Sequence, residues 1–344
     1  MKKKILITGA TGFIGQSLLK TLSKLGYLYG LFLESLKTLS KLGTPVRGTV
    51  RSVNSFTSNF DTEYVPVGDI TTKTNWKESL VDIDCVIHCA GRSHIMNEIE
   101  KDELKIYRSV NVDGTKQLAE QAAEAKVKRL IFLSSIKVNG EETNYNHAET
   151  ISNNQKENIF MNNDIPNPKG YYAISKFEAE KILWEISSRT GLELTIIRLP
   201  LVYGSGVKGN LAKLLKLVQS RIPLPLKMVK NQRSMIGIDN LVDLLIRCVE
   251  HPKAAGKTFL ASDGEDLSTL DLVDSIASAM GHRARFFSAP LFLLDFLGYV
   301  LGKQKEIDRL VGSLKVDINY TRDVLNWKPP INVTEGIKRM IQNK

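Results

Sequence analysis

The stretch Lys4–Gly15 (KILITGATGFIG) decides the fold of this 344-residue chain. Lys4–Thr8 is short and apolar, as a buried strand is, and a helical pattern with one apolar face follows Gly15. Glycines between a strand and a helix permit a tight turn and a close approach of the backbone to a pyrophosphate, and the helix N-terminus supplies free N–H groups. We therefore predict a dinucleotide-binding loop made by Gly9, Thr11, Gly12, Phe13, Ile14 and Gly15.

The chain beyond this loop alternates between predicted strands and helices as far as residue 200. Such alternation predicts an α/β fold with a doubly wound Rossmann-type parallel sheet. A glycine-rich loop at Gly204–Asn210 and shorter, mixed elements follow. We expect residues 1–200 to form the dinucleotide-binding domain and residues 201–344 a smaller, interleaved C-terminal substrate lobe. The predicted strands after the first are Pro45–Arg51, Tyr64–Val67, Asp84–Cys89, Arg129–Ser134 and Glu193–Leu199, and the predicted helices include Val110–Ala125 and Tyr172–Arg189.

The eight residues LKTLSKLG occur twice, at Leu19–Gly26 and at Leu36–Gly43. The first copy is joined directly to the glycine loop, so it must be the crossover helix. The second copy therefore belongs to a tandem-duplicated helical insertion at about 27–43. We expect this insertion to add a helix outside the sheet or to extend the first helix. A tolerated surface insertion is the favoured interpretation, and a partner or dimer contact is the alternative.

Composition excludes several classes of function. Lys and Arg outnumber Asp and Glu by 47 to 37, but the cations are scattered, so we expect no nucleic-acid partner. Three cysteines and five unclustered histidines indicate neither a disulfide scaffold nor a metal site. The apolar segment Pro290–Gly302 is short and contains Asp295, so we expect a substrate-lobe helix, no spanning segment and no membrane-surface contact. These features favour a cytoplasmic protein.

The second predicted strand ends at Arg51, where a site that prefers NAD usually has an acidic residue for the ribose 2′-hydroxyl. An arginine there can pair with a 2′-phosphate instead, so we favour NADP as the cofactor, with NAD as the alternative. Asp69 and Ile70 follow the third predicted strand and are placed to reach the adenine edge.

Tyr172 and Lys176 stand one helical turn apart, so their side chains lie on the same helix face. A phenol, with an ordinary pKa of about 10, must have its pKa lowered to act as an acid or base near neutrality, and we expect the ammonium of Lys176 to do this. The hydroxyl of Ser135, at the tip of a predicted strand, can hold the same substrate oxygen. A second pair at this spacing, Tyr299 and Lys303, lacks that context and is interpreted as chance.

These segments, spread over nearly the whole chain, resemble extended short-chain dehydrogenases/reductases of the NAD(P)-dependent nucleotide-sugar epimerase/dehydratase family. The matching landmarks are GATGFIG at Gly9–Gly15, GDI at Gly68–Ile70, VIHCAG at Val86–Gly91, VNVDGT at Val110–Thr115, FLSSIKVNG at Phe132–Gly140, YYAISK at Tyr171–Lys176, IRLPLVYGSG at Ile197–Gly206 and NQRSMIGIDNLVD at Asn231–Asp243.

The resemblance implies a role for each candidate residue. Ser135 would polarise a carbonyl, Tyr172 would donate the proton, and Lys176 would poise Tyr172 and hold the nicotinamide ribose. Asn111 would support the active-site helix or take part in a proton relay. The resemblance also implies cofactor contacts at Cys89, Ala90 and Gly91, and substrate contacts at His94, Ser135, Asn210 and Arg233.

The chain departs from the family pattern in one way that bears on chemistry. Dehydratases of the family have Thr-Asp-Glu where this chain has Ser135-Ile136-Lys137, so we do not expect water elimination. Several segments resemble the subgroup that acts at C4 of UDP-sugars in surface-polysaccharide synthesis.

Three functions follow from this resemblance. The leading hypothesis is NADPH-dependent reduction of the C4 ketone of a UDP-linked 2-acetamido-6-deoxyhexulose. The alternative is a UDP-glucose or UDP-N-acetylglucosamine 4-epimerase that keeps NAD bound. A non-catalytic NADP-sensing regulator is the hypothesis from another class. A homodimer is expected by analogy alone.

Overall fold

The computed structural model of the chain describes residues 3–24, 45–52, 62–93, 102–143 and 158–342. The predicted insertion at 27–43 and the predicted substrate residue His94 lie outside the described residues.

Seven parallel strands form the main sheet, in the order β3-β2-β1-β4-β5-β6-β9. The order runs outward in both directions from β1, which pairs with β2 on one side and β4 on the other. That reversal makes a crevice at the carboxyl ends of β1 and β4, where ligands of such sheets bind.

The strands of both sheets, in chain order, are β1 Ile5–Thr8, β2 Val46–Val50, β3 Glu63–Pro66, β4 Cys85–His88, β5 Arg129–Ser135, β6 Glu193–Leu199, β7 Leu201–Tyr203, β8 Arg233–Gly237, β9 Lys257–Leu260 and β10 Asp266–Leu267.

Helices cover both faces of this sheet, which confirms the predicted doubly wound α/β fold. The helices are α1 Phe13–Lys24, α2 Glu103–Arg108, α3 Gly114–Glu124, α4 Tyr171–Thr190, α5 Gly209–Gln219, α6 Ile238–Glu250, α7 Thr269–Ala279, α8 Leu291–Val300, α9 Gln304–Val311, α10 Asn319–Leu325 and α11 Val333–Gln342. One core cluster joins the sheet to α1 and α6, through side chains such as Leu18 and Leu241. The other joins its opposite face to α3 and α4, through Leu118 and Leu183. The central strands are therefore buried on both faces, as their continuous apolar sequences require.

The helix predicted at Val110–Ala125 is not a single α-helix. A π-helical turn, Ser109–Asp113, comes first, and α3 starts at Gly114. A Cβ atom at Gly114 would lie 2.4 Å from Cγ2 of Ile70, so the helix starts at a point of close contact that only glycine allows. The apolar spacing of the sequence does not distinguish a π turn from an α turn.

A second, three-stranded sheet has the order β10-β8-β7 and lies in the C-terminal part of the chain. It shares a third core cluster with α5, α7 and α11. The chain returns from β8 to add β9 to the edge of the main sheet beside β6. The predicted boundary between two domains near residue 200 stays a prediction. Strand β9, which lies beyond that boundary in the chain, belongs to the main sheet. None of the helices that the structure describes has both the length and the apolar character to cross a bilayer.

Asp263 joins the two sheets at a buried position just after β9. Its carboxylate accepts hydrogen bonds from the Tyr203 hydroxyl (2.6 Å), the Gly237 backbone N–H (2.9 Å) and the Asn240 side-chain amide (2.7 Å). Burial raises the pKa of Asp263, and these donors oppose that rise by favouring the charged form. Strands β7 and β8 and the start of α6 are therefore held together by hydrogen bonds to one carboxylate.

We expect Asp263→Ala to lower the free energy of unfolding by about 3 kcal/mol, because three buried donors lose their acceptor together. Urea denaturation followed by circular dichroism measures this loss. Asp274→Ala, at an exposed position on α7, is the control and should change stability by less than about 0.5 kcal/mol. Equal stability of the two variants would show that Asp263 does not join the sheets energetically.

Candidate active site

The predicted dinucleotide loop lies at the carboxyl end of β1, at the switch point of the sheet. Gly9 has a φ of +67°, and the N–H of Gly12 donates to the carbonyl of Gly9 at 2.9 Å, which closes the turn. A Cβ atom at Gly15 would lie 2.2 Å from that same carbonyl oxygen. Both positions therefore require glycine. Thr11 and Gly12 are exposed just before α1, and the first N–H groups of a helix have no intrahelical partner and can bind an anion.

Phe13 and Ile14 begin α1 and anchor the loop from the inside. Both are partly buried and pack against the core between the sheet, α1 and α6. A Cβ atom at Gly204 would lie 3.4 Å from the Phe13 ring, so the loop after β7 passes close over the start of α1. The loop after β7 thus lies directly against the predicted dinucleotide loop.

Arg51 and Asp69, predicted to recognise the adenosine end, form an ion pair with each other. The Arg51 Nε lies 2.7 Å from the Asp69 Oδ1, and the side chains are 77% and 71% exposed. They follow β2 and β3, which are neighbours, so both reach the same edge of the sheet. Ile70, the next residue, lies against Gly114 at the start of α3, where an added Cβ atom would be 2.4 Å from its Cγ2, and its role at the cofactor stays a prediction.

Cys89, Ala90 and Gly91 follow β4 and form the floor beside the glycine loop. The Ala90 N–H donates to the Thr8 hydroxyl at 3.3 Å, and a Cβ atom at Gly9 would lie 2.8 Å from the Ala90 nitrogen. Burial raises the pKa of the Cys89 thiol to about 12. Cys89 is therefore a neutral packing residue and not a nucleophile.

Asn111, in the π-helical turn, connects this floor to α4. Its Nδ2 donates to the Arg92 carbonyl and to the Ser175 hydroxyl, both at 3.0 Å, and its Oδ1 accepts from the Arg92 N–H at 2.8 Å. The Ser175 hydroxyl in turn donates to the Tyr172 carbonyl at 2.8 Å. Of the two roles that the sequence left open, these contacts match support of the active-site helix.

Ser135, Tyr172 and Lys176 converge at the carboxyl end of β5. A hydrogen bond links the Ser135 hydroxyl to the Tyr172 phenol. The Lys176 Nζ donates to the Leu133 carbonyl at 2.8 Å and lies 4.4 Å from the centre of the Phe132 ring. A Cβ atom at Gly91 would lie 3.3 Å from this Nζ, so the ammonium stands directly against the floor.

The pKa values of this group differ from the sequence expectation. Burial raises the pKa of Tyr172 to about 12, although its hydrogen bond with Ser135 acts in the opposite direction. The expected lowering of the Tyr172 pKa by Lys176 is wrong, because the effect of burial outweighs the interaction that lowers the pKa. Burial likewise lowers the pKa of Lys176 to about 8, opposed by the nearby Glu180. At neutral pH Tyr172 is thus a phenol that can donate a proton, and Lys176, one helical turn away, is a cation.

Sequence reasoning missed a buried polar network behind this group. Glu180 on α4 accepts from the Ser134 hydroxyl at 2.5 Å and pairs with the Arg198 Nη2 at 2.7 Å. The Arg198 Nη1 donates to the Asn139 Oδ1 at 2.9 Å, and the Asn139 amide donates to the Met161 carbonyl at 3.1 Å. The spacing of Glu180, four residues after Lys176, was the available signal.

The predicted substrate residues Arg233 and Asn210 do not converge as Ser135, Tyr172 and Lys176 do. Arg233 is largely buried on β8, and its Nη1 donates to the carbonyls of Gly312 (2.9 Å) and Arg309 (3.2 Å). Burial lowers the pKa of Arg233, with the charge of Arg309 acting in the same direction. Asn210 is exposed in the first turn of α5.

The glycine loop, residues Cys89–Gly91 and the Ser135–Tyr172–Lys176 group therefore lie together at the carboxyl ends of β1, β4 and β5. The model of the NAD dependent epimerase/dehydratase family matches residues 5–261. The chain belongs to this family and is an NAD(P)-dependent nucleotide-sugar enzyme, as the sequence predicted.

The chain is similar to characterised members along almost its whole length. It is 40% identical over 343 residues to a UDP-glucose 4-epimerase of Vibrio cholerae, covering 99% of this chain and 95% of that protein. The UDP-N-acetylglucosamine 4-epimerase from Bacillus cereus has the same fold, with a TM-score of 0.74 at 17% identity and 98% of each chain covered. The UDP-glucuronic acid 4-epimerase from Bacillus cereus in complex with NAD gives a TM-score of 0.71 at 20% identity, with 99% of each chain covered.

We expect Gly15→Ala to abolish dinucleotide binding, because the added methyl group would collide with the Gly9 carbonyl at 2.2 Å and open the turn. Calorimetric titration with NAD and with NADPH measures the loss. Gln16→Ala, at the exposed neighbouring position on α1, should bind as the wild type does. Binding retained by Gly15→Ala would rule out this loop as the dinucleotide site.

The depressed pKa of Lys176 predicts a specific dependence of stability on pH. Between about pH 8 and 10.5 the unfolded chain carries a proton on this lysine that the folded chain has lost, so the lysine's contribution to stability rises with pH across that window. The difference in unfolding free energy between wild type and Lys176→Met should therefore shift in favour of wild type, by up to about 1.4 kcal/mol per pH unit. Urea denaturation at several pH values measures it.

The control for this titration is Lys181→Met, an exposed lysine on the same helix. This variant removes a positive charge from the same helix at an exposed position. A difference between wild type and Lys176→Met that stays flat across the window would show that the pKa of Lys176 is not depressed.

Proposed function

We propose that this protein is a nucleotide-sugar 4-epimerase that inverts C4 of a UDP-linked hexose with NAD as its cofactor. The observation that carries the proposal is the convergence of Ser135, Tyr172 and Lys176 beside the glycine loop, in a chain whose 40%-identical relative is a UDP-glucose 4-epimerase. The UDP-sugar is the proposed partner, and both the homodimer and the cytoplasmic location remain predictions by analogy.

The residues present fit a dinucleotide. A Cβ atom at Gly9 or Gly15 would fill the loop where a pyrophosphate approaches, and exposed N–H groups begin α1. When bound, the dinucleotide supplies the hydride acceptor and donor for C4 of the sugar. Lys176, buried against the floor at Gly91, would hold the nicotinamide ribose and keep a positive charge under it.

The protein's own groups would handle the proton at the C4 oxygen. Tyr172 would first release its phenolic proton to solvent, and the phenolate would then take the C4 hydroxyl proton as C4 is oxidised and return it as C4 is reduced from the opposite face. The raised pKa of Tyr172 favours this return, and the Ser135 hydroxyl donates to the C4 oxygen as its bond order changes. Electrons and protons balance over the cycle, because hydride and proton both go back to the sugar.

The ion pair of Arg51 and Asp69 supports NAD over NADP. The Asp69 carboxylate at 2.7 Å neutralises the guanidinium that a 2′-phosphate would need, and it is itself an acceptor for a ribose 2′-hydroxyl. The exposure of Arg51 is the one observation that favours the second candidate, NADPH-dependent reduction of a 4-keto UDP-sugar in surface-polysaccharide synthesis.

Two other chemistries have less support. Ile136 is buried and Lys137 pairs with Glu141 where a dehydratase has its acids, so water elimination lacks its catalyst. A non-catalytic NADP sensor does not need the Ser–Tyr–Lys group that this chain keeps.

The test adds UDP-glucose or UDP-N-acetylglucosamine to the purified protein and follows the anomeric protons by NMR. The C4 epimer should form without added dinucleotide if NAD stays bound, and with added NAD otherwise. No epimer in either case, together with NADPH consumption on a 4-keto UDP-sugar, would establish the reductase instead.

We expect Tyr172→Phe to lower turnover by about 10² to 10⁴-fold while dinucleotide binding is kept, because only the proton carrier is removed. Tyr171→Phe, which alters the half-exposed neighbouring tyrosine, should keep activity. Undiminished turnover in Tyr172→Phe would remove Tyr172 from the reaction.

A further inference from the structure

Helix α8 (Leu291–Val300) has an apolar face that the described part of the chain leaves uncovered. Leu294 and Gly298, one turn apart, face inward, and a Cβ atom at Gly298 would lie 2.7 Å from Ile307 of α9. The opposite face carries Phe292, Phe296 and Tyr299, which are 73%, 60% and 81% exposed. Their i, i+4, i+7 spacing makes one continuous aromatic stripe. The lone acid of the helix, Asp295, lies at the margin of this stripe, between it and the inward face.

The apolar surface extends beyond the helix. Val300 and Leu301 continue it at the C-terminal end, and Phe287 continues it at the N-terminal end; all three are about half exposed or more. The backbone of Phe287 is paired with Lys227, and the neighbouring Met228 is 47% exposed. A patch of this kind on a protein surface marks an interaction site.

Exposed cations flank the patch along the chain. Arg283 and Arg285 precede it in the chain, and Lys303 follows it, with its N–H bonded to the Gly298 carbonyl at 2.7 Å. Lys227 stands beside Phe287, where its N–H donates to the Phe287 carbonyl at 3.3 Å. A stripe of aromatic side chains with cations around it matches the boundary between an anionic headgroup layer and acyl chains.

We propose that α8 is an interfacial helix that docks this protein on an anionic phospholipid surface. The aromatic stripe would enter the headgroup–acyl boundary, and Arg283, Arg285, Lys227 and Lys303 would contact lipid phosphates. This inference revises the sequence expectation of no membrane-surface contact. It needs no spanning helix, because the helix lies in the plane of the surface.

The border of cations argues against a second copy of the chain as the occupant. A two-fold contact brings the same patch of both copies together, so the basic border of one copy would face that of the other. Like charges brought together in this way oppose association, whereas anionic lipid attracts them.

Docking through α8 would place the substrate lobe against the bilayer. Helix α9 packs on α8, and the Arg309 carbonyl in α9 accepts a hydrogen bond from Arg233, the predicted substrate residue. The dinucleotide loop lies in the other part of the molecule. The proposal does not rest on the proposed function, since it concerns a surface and not the reaction.

The test is flotation of the full-length protein with vesicles of phosphatidylglycerol mixed with phosphatidylcholine, and with vesicles of phosphatidylcholine alone. We expect the wild type to bind the anionic vesicles. The double variant Phe292→Ser/Phe296→Ser should partition onto these vesicles more weakly, by about tenfold for each aromatic ring removed. Arg283→Gln/Arg285→Gln should weaken binding about fivefold per cation, and added salt should weaken it further.

Val81→Ser is the matched control, an exposed apolar side chain on the loop before β4, and it should bind as wild type. All variants should keep the wild-type melting temperature and turnover, since the altered side chains are exposed and outside the site. Absence of wild-type binding to anionic vesicles, or undiminished binding by Phe292→Ser/Phe296→Ser, overturns the proposal. So does a wild-type oligomer, measured by light scattering, that this double variant dissociates.

Discussion

The buried ion pair of Glu180 and Arg198 is the interaction on which the geometry of the candidate site depends. It joins the middle of α4 to β6, and each partner has a further hydrogen bond, from Ser134 in β5 and to Asn139 after it. A buried pair loses its hydration, so it holds together only when its remaining donors and acceptors are satisfied as well. Here they are satisfied by the residues next to Ser135, and the pair stands one turn from Lys176. The side chains proposed to move the proton are therefore placed by a buried network behind them.

Much of the architecture could be predicted from local sequence because its constraints are local. A glycine triplet between β1 and α1 and apolar strands alternating with amphipathic helices indicate the sheet, and the structure confirms it. The positions of Ser135, Tyr172 and Lys176 were also visible, since a strand tip and one helical turn determine them. The family match confirms the class of enzyme that these patterns suggested.

The parts that sequence reasoning missed depend on contacts between distant segments. The pKa of Tyr172 rises because α4 is buried against the sheet, which the Tyr–Lys spacing does not reveal. Arg51 was interpreted alone, but it forms an ion pair with Asp69, which follows the neighbouring strand. The π-helical turn that carries Asn111 has the same apolar spacing as an α-helix, and its geometry becomes evident only through the bonds to Arg92 and Ser175. In each case the missing information is the tertiary neighbour.

The order of strands also bears on how the chain acquires its structure during synthesis. Strand β6 ends at Leu199, and its neighbour β9 begins only at Lys257, after β7, α5, β8 and α6 have been made. Until then the backbone N–H and C=O groups along one side of β6 have no ladder partner, although six strands can already assemble. An open edge of this kind attracts other extended chains, including copies of itself on the same polysome. While residues 200–256 are being made, the edge of β6 in a nascent chain is thus open to pairing with other extended chains.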